Sequence, residues 1–154
     1  MRVQEAEEAK RGRGRGARDL LVKDLMAEQV YSVRPDDDLA TVRDLMADHG
    51  IRHVPVVDEE ESLLGLVSHR DLLRSSLVEQ AEVPQFVEEF VLERVKVREV
   101  MSGSVETVSP ETPLAEAAAV MLENKYGCLP VVSGNRLVGI LTEADFVRRA
   151  AEGR

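Results

Sequence analysis

The sequence has few aromatic residues and almost no cysteine. Aromatic side chains make up 3% of its 154 residues, and tryptophan is absent, so a core has to be built mainly from Val, Leu, Ile, Ala and Met. The one cysteine, Cys128, excludes an internal disulfide and is typical of a protein of the reducing cytoplasm. The class of disulfide-stabilised secreted proteins is therefore excluded, and we expect a cytoplasmic location.

Long apolar runs and an excess of positive charge are missing too. No run approaches the roughly 20 apolar residues that span a bilayer, and the polar N-terminus lacks the apolar core of a signal peptide. The net charge of -9 argues against a body that binds nucleic acid, since the phosphates would be repelled. We expect a soluble globular protein with no membrane partner.

The motifs of common catalytic sites are also absent. The three histidines, His49, His53 and His69, lack the spacing of a His-Glu-x-x-His metal site. Neither a Gly-x-x-x-x-Gly-Lys phosphate loop nor a Gly-x-Ser-x-Gly elbow occurs. Cys128 lies in a predicted buried strand, where cysteine is usually a small core residue. We expect no catalytic residue, no metal, no catalytic cofactor and no enzyme activity.

What the sequence does contain is an internal duplication. At an offset of 75, Pro35 matches Pro110 and residues 55–57 match residues 130–132. The offset then falls to 74, because the polar loop at 58–62 is one residue longer than its counterpart, a change that a hairpin loop tolerates. The chain is therefore built from two copies of one unit.

Hydrophobic periodicity predicts the same order of elements in both copies. Each copy is expected to begin with a short helical turn and to continue as β-α-β-β-α. In the first copy the predicted strands are 30–33, 53–57 and 63–67, with one helix ended by Gly50 and another running from Ser68 to about residue 77. The expected fold class is mixed α/β (α+β).

Four segments are expected along the chain. They are a flexible Arg/Gly-rich tail at 1–18, the first repeat at 19–77, an inter-repeat helical linker at 78–95 and the second repeat at 96–151. The tail is either solubilising or an arm that binds nucleic acid or another anionic partner. In the linker, Phe86, Val87, Phe90 and Val91 form an apolar stripe, which favours packing on the module or on a second copy over ligand binding.

A hydroxyl residue followed three positions later by aspartate occurs at the same place in both copies. The pairs are Ser68 with Asp71 and Thr142 with Asp145. One interpretation is a capping box, in which each side chain satisfies a backbone N–H at a helix start. The other is a nucleotide site, because a carboxylate can accept hydrogen bonds from two adjacent ribose hydroxyls. Spacing alone leaves both open.

Taken together, the repeated fragments resemble a tandem pair of cystathionine β-synthase (CBS) domains, also called a Bateman module. The fragments that carry the resemblance are residues 24–26, 32–35, 51–58 and 65–71 in the first copy and 99–101, 107–110, 127–132 and 139–145 in the second.

The resemblance implies two pseudo-symmetric repeats packed sheet to sheet, with helices outside and clefts between the sheets. In this family the clefts bind adenosine-containing ligands: AMP, ADP, ATP, S-adenosylmethionine or NAD. Carried over to this sequence, Asp71 and Asp145 bind ribose hydroxyls, with Ser68 and Thr142 beside them. The residues expected around the adenine are Val30, Ser32, Ile51, Arg52, His53, Pro55, Val105, Thr107, Tyr126, Cys128 and Pro130.

The family resemblance also implies phosphate contacts that differ between the copies. The candidates are His49, Arg52, His53, His69 and Arg70 in the first copy and Lys125 in the second. We therefore expect the Asp71 site to prefer phosphorylated adenosine and the Asp145 site to be weaker or suited to a less anionic ligand.

The function expected from the resemblance is that of a non-enzymatic regulatory module. It would be a homodimer that binds an adenine nucleotide and signals to a separate, unidentified protein. Two alternatives stay open. One is a structural or interaction module with vestigial clefts, and the other is a nucleic-acid-associated protein that acts through its Arg-Gly tail.

Overall fold

The computed structural model describes residues 19–75 and 84–153. The expected tail at 1–18 and the first part of the expected linker, 78–83, lie outside these ranges. The helices are α1 (Val22–Leu25), α2 (Leu39–His49), α3 (His69–Ser75), α4 (Gln85–Leu92), α5 (Val97–Val100), α6 (Leu114–Asn124) and α7 (Glu143–Ala151). The strands are β1 (His53–Val57), β2 (Leu63–Ser68), β3 (Cys128–Ser133) and β4 (Arg136–Thr142).

Two hairpins form the two small sheets. In the first, β1 and β2 run antiparallel, with Val54 opposite Val67 and Pro55 opposite Leu66. In the second, β3 pairs with β4. The mixed α+β class predicted from the sequence is confirmed.

The strand predicted at 30–33 contracts to a single parallel bridge at Val33. The Val33 N–H donates to the Pro55 carbonyl at 3.0 Å, and the Val57 N–H donates to the Val33 carbonyl at 2.9 Å. A longer parallel ladder would need backbone N–H donors at positions 35 and 55. Both are proline, which has no N–H, so the ladder stops on each side of the bridge.

The second copy repeats this arrangement around Val108. Its N–H donates to the Pro130 carbonyl at 3.1 Å, and its carbonyl accepts from the Val132 N–H at 2.9 Å. Pro110 and Pro130 occupy the two positions that would have to donate next. The first strand of each repeat is thus one residue long for the same chemical reason.

The described residues divide into two compact units. The first unit comprises residues 30–75, 84–105 and 135–137 among those described. Its core is aliphatic and is formed mainly by Val33, Leu39, Val42, Met46, Val54, Val56, Val67, Leu72, Leu92 and Val97. The helix α2 that supplies part of this core is capped at its start by Asp38, whose carboxylate accepts from the Thr41 N–H at 2.9 Å. It is followed by Gly50 in the left-handed conformation.

The helix α4 is packed as part of the first unit. Its Leu92 is 1% exposed within the core. From α2, Arg43 forms a bidentate ion pair with Glu89, at 2.5 and 3.0 Å. The hydrogen bond from Arg43 lowers the pKa of Glu89 below its ordinary value, and the same bond raises the pKa of Arg43. Residues 84–95 therefore contribute to a core as well as connecting the repeats.

The second unit comprises residues 19–29, 106–134 and 138–153 among those described. Its core contains Leu20, Val22, Val108, Leu114, Ala117, Met121, Leu129, Val131 and Leu141. The helix α1 joins it because the Val22 N–H donates to the Thr112 carbonyl at 2.9 Å.

Compact units and sequence repeats are thus different divisions of the chain. The helical turn that opens the first repeat, α1, belongs to the second unit, and the turn that opens the second repeat, α5, belongs to the first unit.

Two matched glycines make room for the segments that follow these turns. A Cβ on Gly65 would lie 2.6 Å from the Ser102 carbonyl oxygen, and one on Gly139 would lie 2.6 Å from Met26 Sδ. At the same places Leu66 forms a bridge to Ser102, and Ala27 forms one to Ile140. The glycines in β2 and β4 therefore allow close backbone approach.

Candidate ligand-binding site

Ser68 and Asp71 meet where β2 passes into α3. The Ser68 backbone N–H and its hydroxyl both donate to Asp71 Oδ2, at 2.8 and 2.9 Å. In return the Asp71 backbone N–H donates to Ser68 Oγ at 3.1 Å, which completes a reciprocal helix cap. The other carboxylate oxygen, Oδ1, has no hydrogen-bond partner within residues 19–75 and 84–153. The cap therefore leaves one carboxylate oxygen unused.

The start of β1 lies beside this cap. His53 is paired with Ser68 across the hairpin, and the His69 backbone N–H donates to the Arg52 carbonyl at 2.7 Å. The Arg52 side chain is exposed, whereas His53 is half-buried. Main-chain pairing thus brings Arg52 and His53 together with the Ser68–Asp71 cap.

The other first-copy candidates for the adenine surroundings lie near the Val33 bridge. Val30 and Ser32, on the segment that leads to it, are half-buried. Pro55 is buried and accepts the Val33 hydrogen bond, while Ile51 is half-buried against the core of the first unit. All four candidates belong to the first unit.

His49 is stacked on an aromatic ring that the sequence reasoning missed. Its ring and that of Tyr31 have centroids 3.6 Å apart and an angle of 13° between their planes. The stack joins the end of α2 to the segment between Val30 and Ser32. The only signal in the sequence was the position of Tyr31 between two candidate residues.

The remaining first-copy phosphate candidates are exposed on the first turn of α3. They are His69 and Arg70. Among the residues with described coordinates, neither Arg70 nor Arg52 forms an ion pair. Both guanidinium groups are therefore available to an anion.

Thr142 and Asp145 form the equivalent cap where β4 passes into α7. The Thr142 N–H and hydroxyl donate to Asp145 Oδ2 at 2.8 and 3.1 Å. Here, however, Arg148 Nη1 donates to Oδ1 at 3.1 Å. Asp145 is 8% exposed, and both of its carboxylate oxygens are engaged. Sequence reasoning missed Arg148, although Asp-x-x-Arg spacing on a helix is a recognisable sign of an ion pair.

The second cap is joined to the segment before β3. The Glu143 N–H donates to the Gly127 carbonyl at 3.1 Å, which places this cap next to Tyr126 and Cys128 along the chain. Tyr126 is 38% exposed. Lys125 is exposed and ends α6 in the left-handed conformation, with φ of 57°.

Three further second-copy candidates are less exposed. Thr107 is half-buried and Pro130 is buried, and both lie in the second unit. Val105 is half-buried but belongs to the first unit. It therefore does not share a unit with Thr107 and Pro130.

Cys128 has the properties of a core residue. Its side chain is 5% exposed, and burial raises the pKa of its thiol to about 12. The thiol is therefore protonated at neutral pH and is a poor nucleophile.

The described part of the chain has neither a metal-binding cluster nor a helix able to cross a membrane. No group of three or more His, Cys, Asp or Glu side chains there is arranged to hold a metal ion. Within the same ranges, none of the helices combines the length and the apolar character needed to cross a membrane.

Comparison with known proteins identifies the repeat. A family model of the CBS domain matches residues 22–78 and again residues 97–152. The chain is similar to the CBS domain of a CBS domain-containing membrane protein from Sphaerobacter thermophilus, with 30% identity and a TM-score of 0.73; the match covers 93% of this chain and 96% of that one. It is also similar to CBSX2 in a crystal structure with AMP, with 29% identity and a TM-score of 0.70, over 86% and 96% of the two chains.

Several curated relatives are much longer than this chain. One is the inosine-5'-monophosphate dehydrogenase of Methanocaldococcus jannaschii, which is 31% identical over 127 residues; these represent 82% of this chain and 23% of the relative. The chain spans 23–41% of the length of this and four other curated relatives that it matches.

Proposed function

This chain belongs to the CBS-domain family, with two CBS domains in tandem, and on that basis we propose that it is a regulatory module that binds adenosine-containing ligands. The observation that carries the proposal is the cap at Ser68, which positions Asp71 while leaving its Oδ1 unused. The AMP complex of the similar protein CBSX2 supports the choice of ligand class.

The capping and ribose-binding interpretations of the Ser/Thr-x-x-Asp pairs are compatible. A carboxylate has about four lone-pair sites, and the cap at Asp71 uses only Oδ2. The free Oδ1 of Asp71 can accept hydrogen bonds from a ribose diol while Oδ2 keeps the side chain in place. We assign ribose binding to Asp145 as well, although Arg148 donates to its Oδ1.

The cations near Asp71 favour a phosphorylated ligand in the first unit. Arg52 and Arg70 have no ion-pair partner in the described ranges, and Arg suits bidentate contact with phosphate. In the second copy the matching positions hold Gly127 and Ala144. We therefore propose AMP, ADP or ATP for the Asp71 site, with S-adenosylmethionine and NAD as alternatives, and a weaker or less anionic ligand for the Asp145 site.

The module signals to a protein target that it regulates, and it is itself a cytoplasmic homodimer without catalytic activity. Binding would shift the balance between two states of the module and so change its affinity for the target. A purely structural module, whose surface alone matters, predicts that no adenosine compound binds.

Calorimetry with AMP and adenosine tests the proposal. Asp71→Ala and Asp145→Ala should each weaken binding at their own site by about 1.5–3 kcal/mol, because a charged hydrogen-bond partner is lost. Asp58→Ala, in the β1–β2 loop, is the control for the loss of a negative charge and should bind as the wild type does. Equal affinity in all four proteins would show that the two aspartates only cap their helices.

The same titrations separate ribose from phosphate contacts. Arg52→Ala combined with Arg70→Ala should weaken AMP more than adenosine, since only AMP carries the phosphate. If the double variant weakens both ligands equally, or neither, the assignment of the arginines to phosphate is wrong.

A further inference from the structure

We propose that Arg148 competes with the ligand for Asp145 and so makes the second half-site the weaker of the two. The inference rests on the proposed function, because it concerns the same ribose-binding carboxylate. It adds a residue that determines how strongly that half-site binds.

The geometry places Arg148 on the atom that a ribose would need. Asp145 is 8% exposed, and its Oδ2 is already occupied by the Thr142 N–H and hydroxyl. Arg148 Nη1 donates to the remaining oxygen, Oδ1, at 3.1 Å. One acceptor site of Oδ1 remains beside Arg148, so a diol can donate both of its hydroxyls to this oxygen only after the guanidinium moves.

The first copy provides an internal comparison. At the offset of 74 that relates the two caps, Arg74 occupies the position of Arg148. Arg74 is exposed and, among the described residues, forms no ion pair or hydrogen bond with Asp71. The two copies thus have the same residue types, yet among the described residues only the second copy has a cation bound to the Oδ1 of its carboxylate.

The competition is reversible because the arginine is largely in solvent. Its side chain is 64% exposed, in contrast to the buried carboxylate. Ion pairs of exposed arginines are weak and are screened by salt. Displacing Arg148 should therefore reduce affinity several-fold without abolishing binding.

The experiment isolates each half-site and uses adenosine, which carries no charge, as the probe. In the full chain with Asp71→Asn, Arg148→Ala should tighten adenosine binding by about two- to fivefold, the strength expected of one exposed ion pair. In the chain with Asp145→Asn, the matched Arg74→Ala should leave adenosine affinity unchanged. Raising NaCl from low to high concentration should tighten binding to the Asp71→Asn protein and have little effect once Arg148 is also replaced.

The possible results distinguish this inference from the function on which it rests. If adenosine and AMP bind none of the proteins, including the wild type, the proposed function and the inference fail together. If Asp145→Asn abolishes one adenosine-binding site of the wild type, and Arg148→Ala does not change the affinity of that site, only the inference fails. If Arg148→Ala weakens AMP and leaves adenosine unchanged, Arg148 is a phosphate ligand and not a competitor. Thermal unfolding of each variant checks that its fold is intact.

Discussion

Gly65 and Gly139 occupy equivalent positions and face equivalent neighbours, at different distances. The Cβ of Gly65→Ala would lie 2.6 Å from the backbone carbonyl oxygen of Ser102. That of Gly139→Ala would lie 2.6 Å from the flexible Met26 side chain and 3.1 Å from the backbone oxygen of Ala27. We predict that Gly65→Ala lowers the free energy of unfolding by about 1–3 kcal/mol, as in overpacked cores. Gly139→Ala should cost less, because the Met26 sulfur can move. Chemical denaturation of both variants measures the difference, and equal costs would contradict it.

Cys128 makes a definite contribution to the pH dependence of stability. Burial raises the pKa of its thiol from 9.0 to about 12. The native state therefore keeps the proton between these pH values while the unfolded chain loses it. The contribution of the thiol to stability is full well below pH 9 and falls as pH rises from 9 towards 12. From pH 8 to pH 10 the wild type should lose about 1.4 kcal/mol more than Cys128→Ala.

Parallel denaturation curves at the two pH values check this prediction. The comparison uses the change with pH within each protein, so that the cavity left by Cys128→Ala cancels. Loss of the same amount of stability in both proteins would show that the thiol ionises as easily in the native state as in the unfolded chain.

At the scale of secondary structure, α4 was predicted to be part of a linker, yet it also packs in the core of the first unit. Leu92 is 1% exposed in the core of the first unit, whereas Phe86 on the same helix is 76% exposed. We predict that Leu92→Ala lowers the free energy of unfolding by about 2–5 kcal/mol, as for other buried leucines. Gln85→Ala, the control at an exposed polar residue of the same helix, should change it by less than about 0.5 kcal/mol. Similar small effects of both would mean that α4 only connects the repeats.

Local elements could be predicted from the sequence, and their long-range partners could not. The two hairpins, the helix stop at Gly50 and both Ser/Thr-x-x-Asp caps follow from spacing within a few residues. Residues 30–33 were predicted to form a strand, but they form a single bridge at Val33. The pairing stops there because Pro55, a residue far along the chain, cannot donate the next hydrogen bond.

The candidate site shows the same limit. Sequence patterns led to Asp71 and Asp145, but not to the Tyr31–His49 stack, which needs the packing of two separate segments. The assignment of α1 to the second unit depends on pairing between Val22 and Thr112, which no local periodicity encodes.

For the whole molecule, we predict a dimer in solution. Phe86 and Phe90 are 76% and 54% exposed on one helix, an apolar surface that a second copy could cover. Arg94 already lies over the Phe90 ring at 3.3 Å, which covers part of this surface. Light scattering should give about twice the monomer mass of 17.1 kDa at micromolar concentration, and Phe86→Ser with Phe90→Ser should reduce it. A monomeric wild type would contradict the prediction.

The division of the chain into units also imposes an order on biosynthesis. Nearly all of the described part of the first unit comes from residues 30–75 and 84–105, which can fold as they leave the ribosome. The apolar Leu20 and Val22 emerge earlier, yet they cannot pack until Thr112 and Leu114, their hydrogen-bond partners, have been added. At translation rates of about 5–20 residues per second, these side chains wait for seconds in an unfolded segment, where a chaperone can bind them.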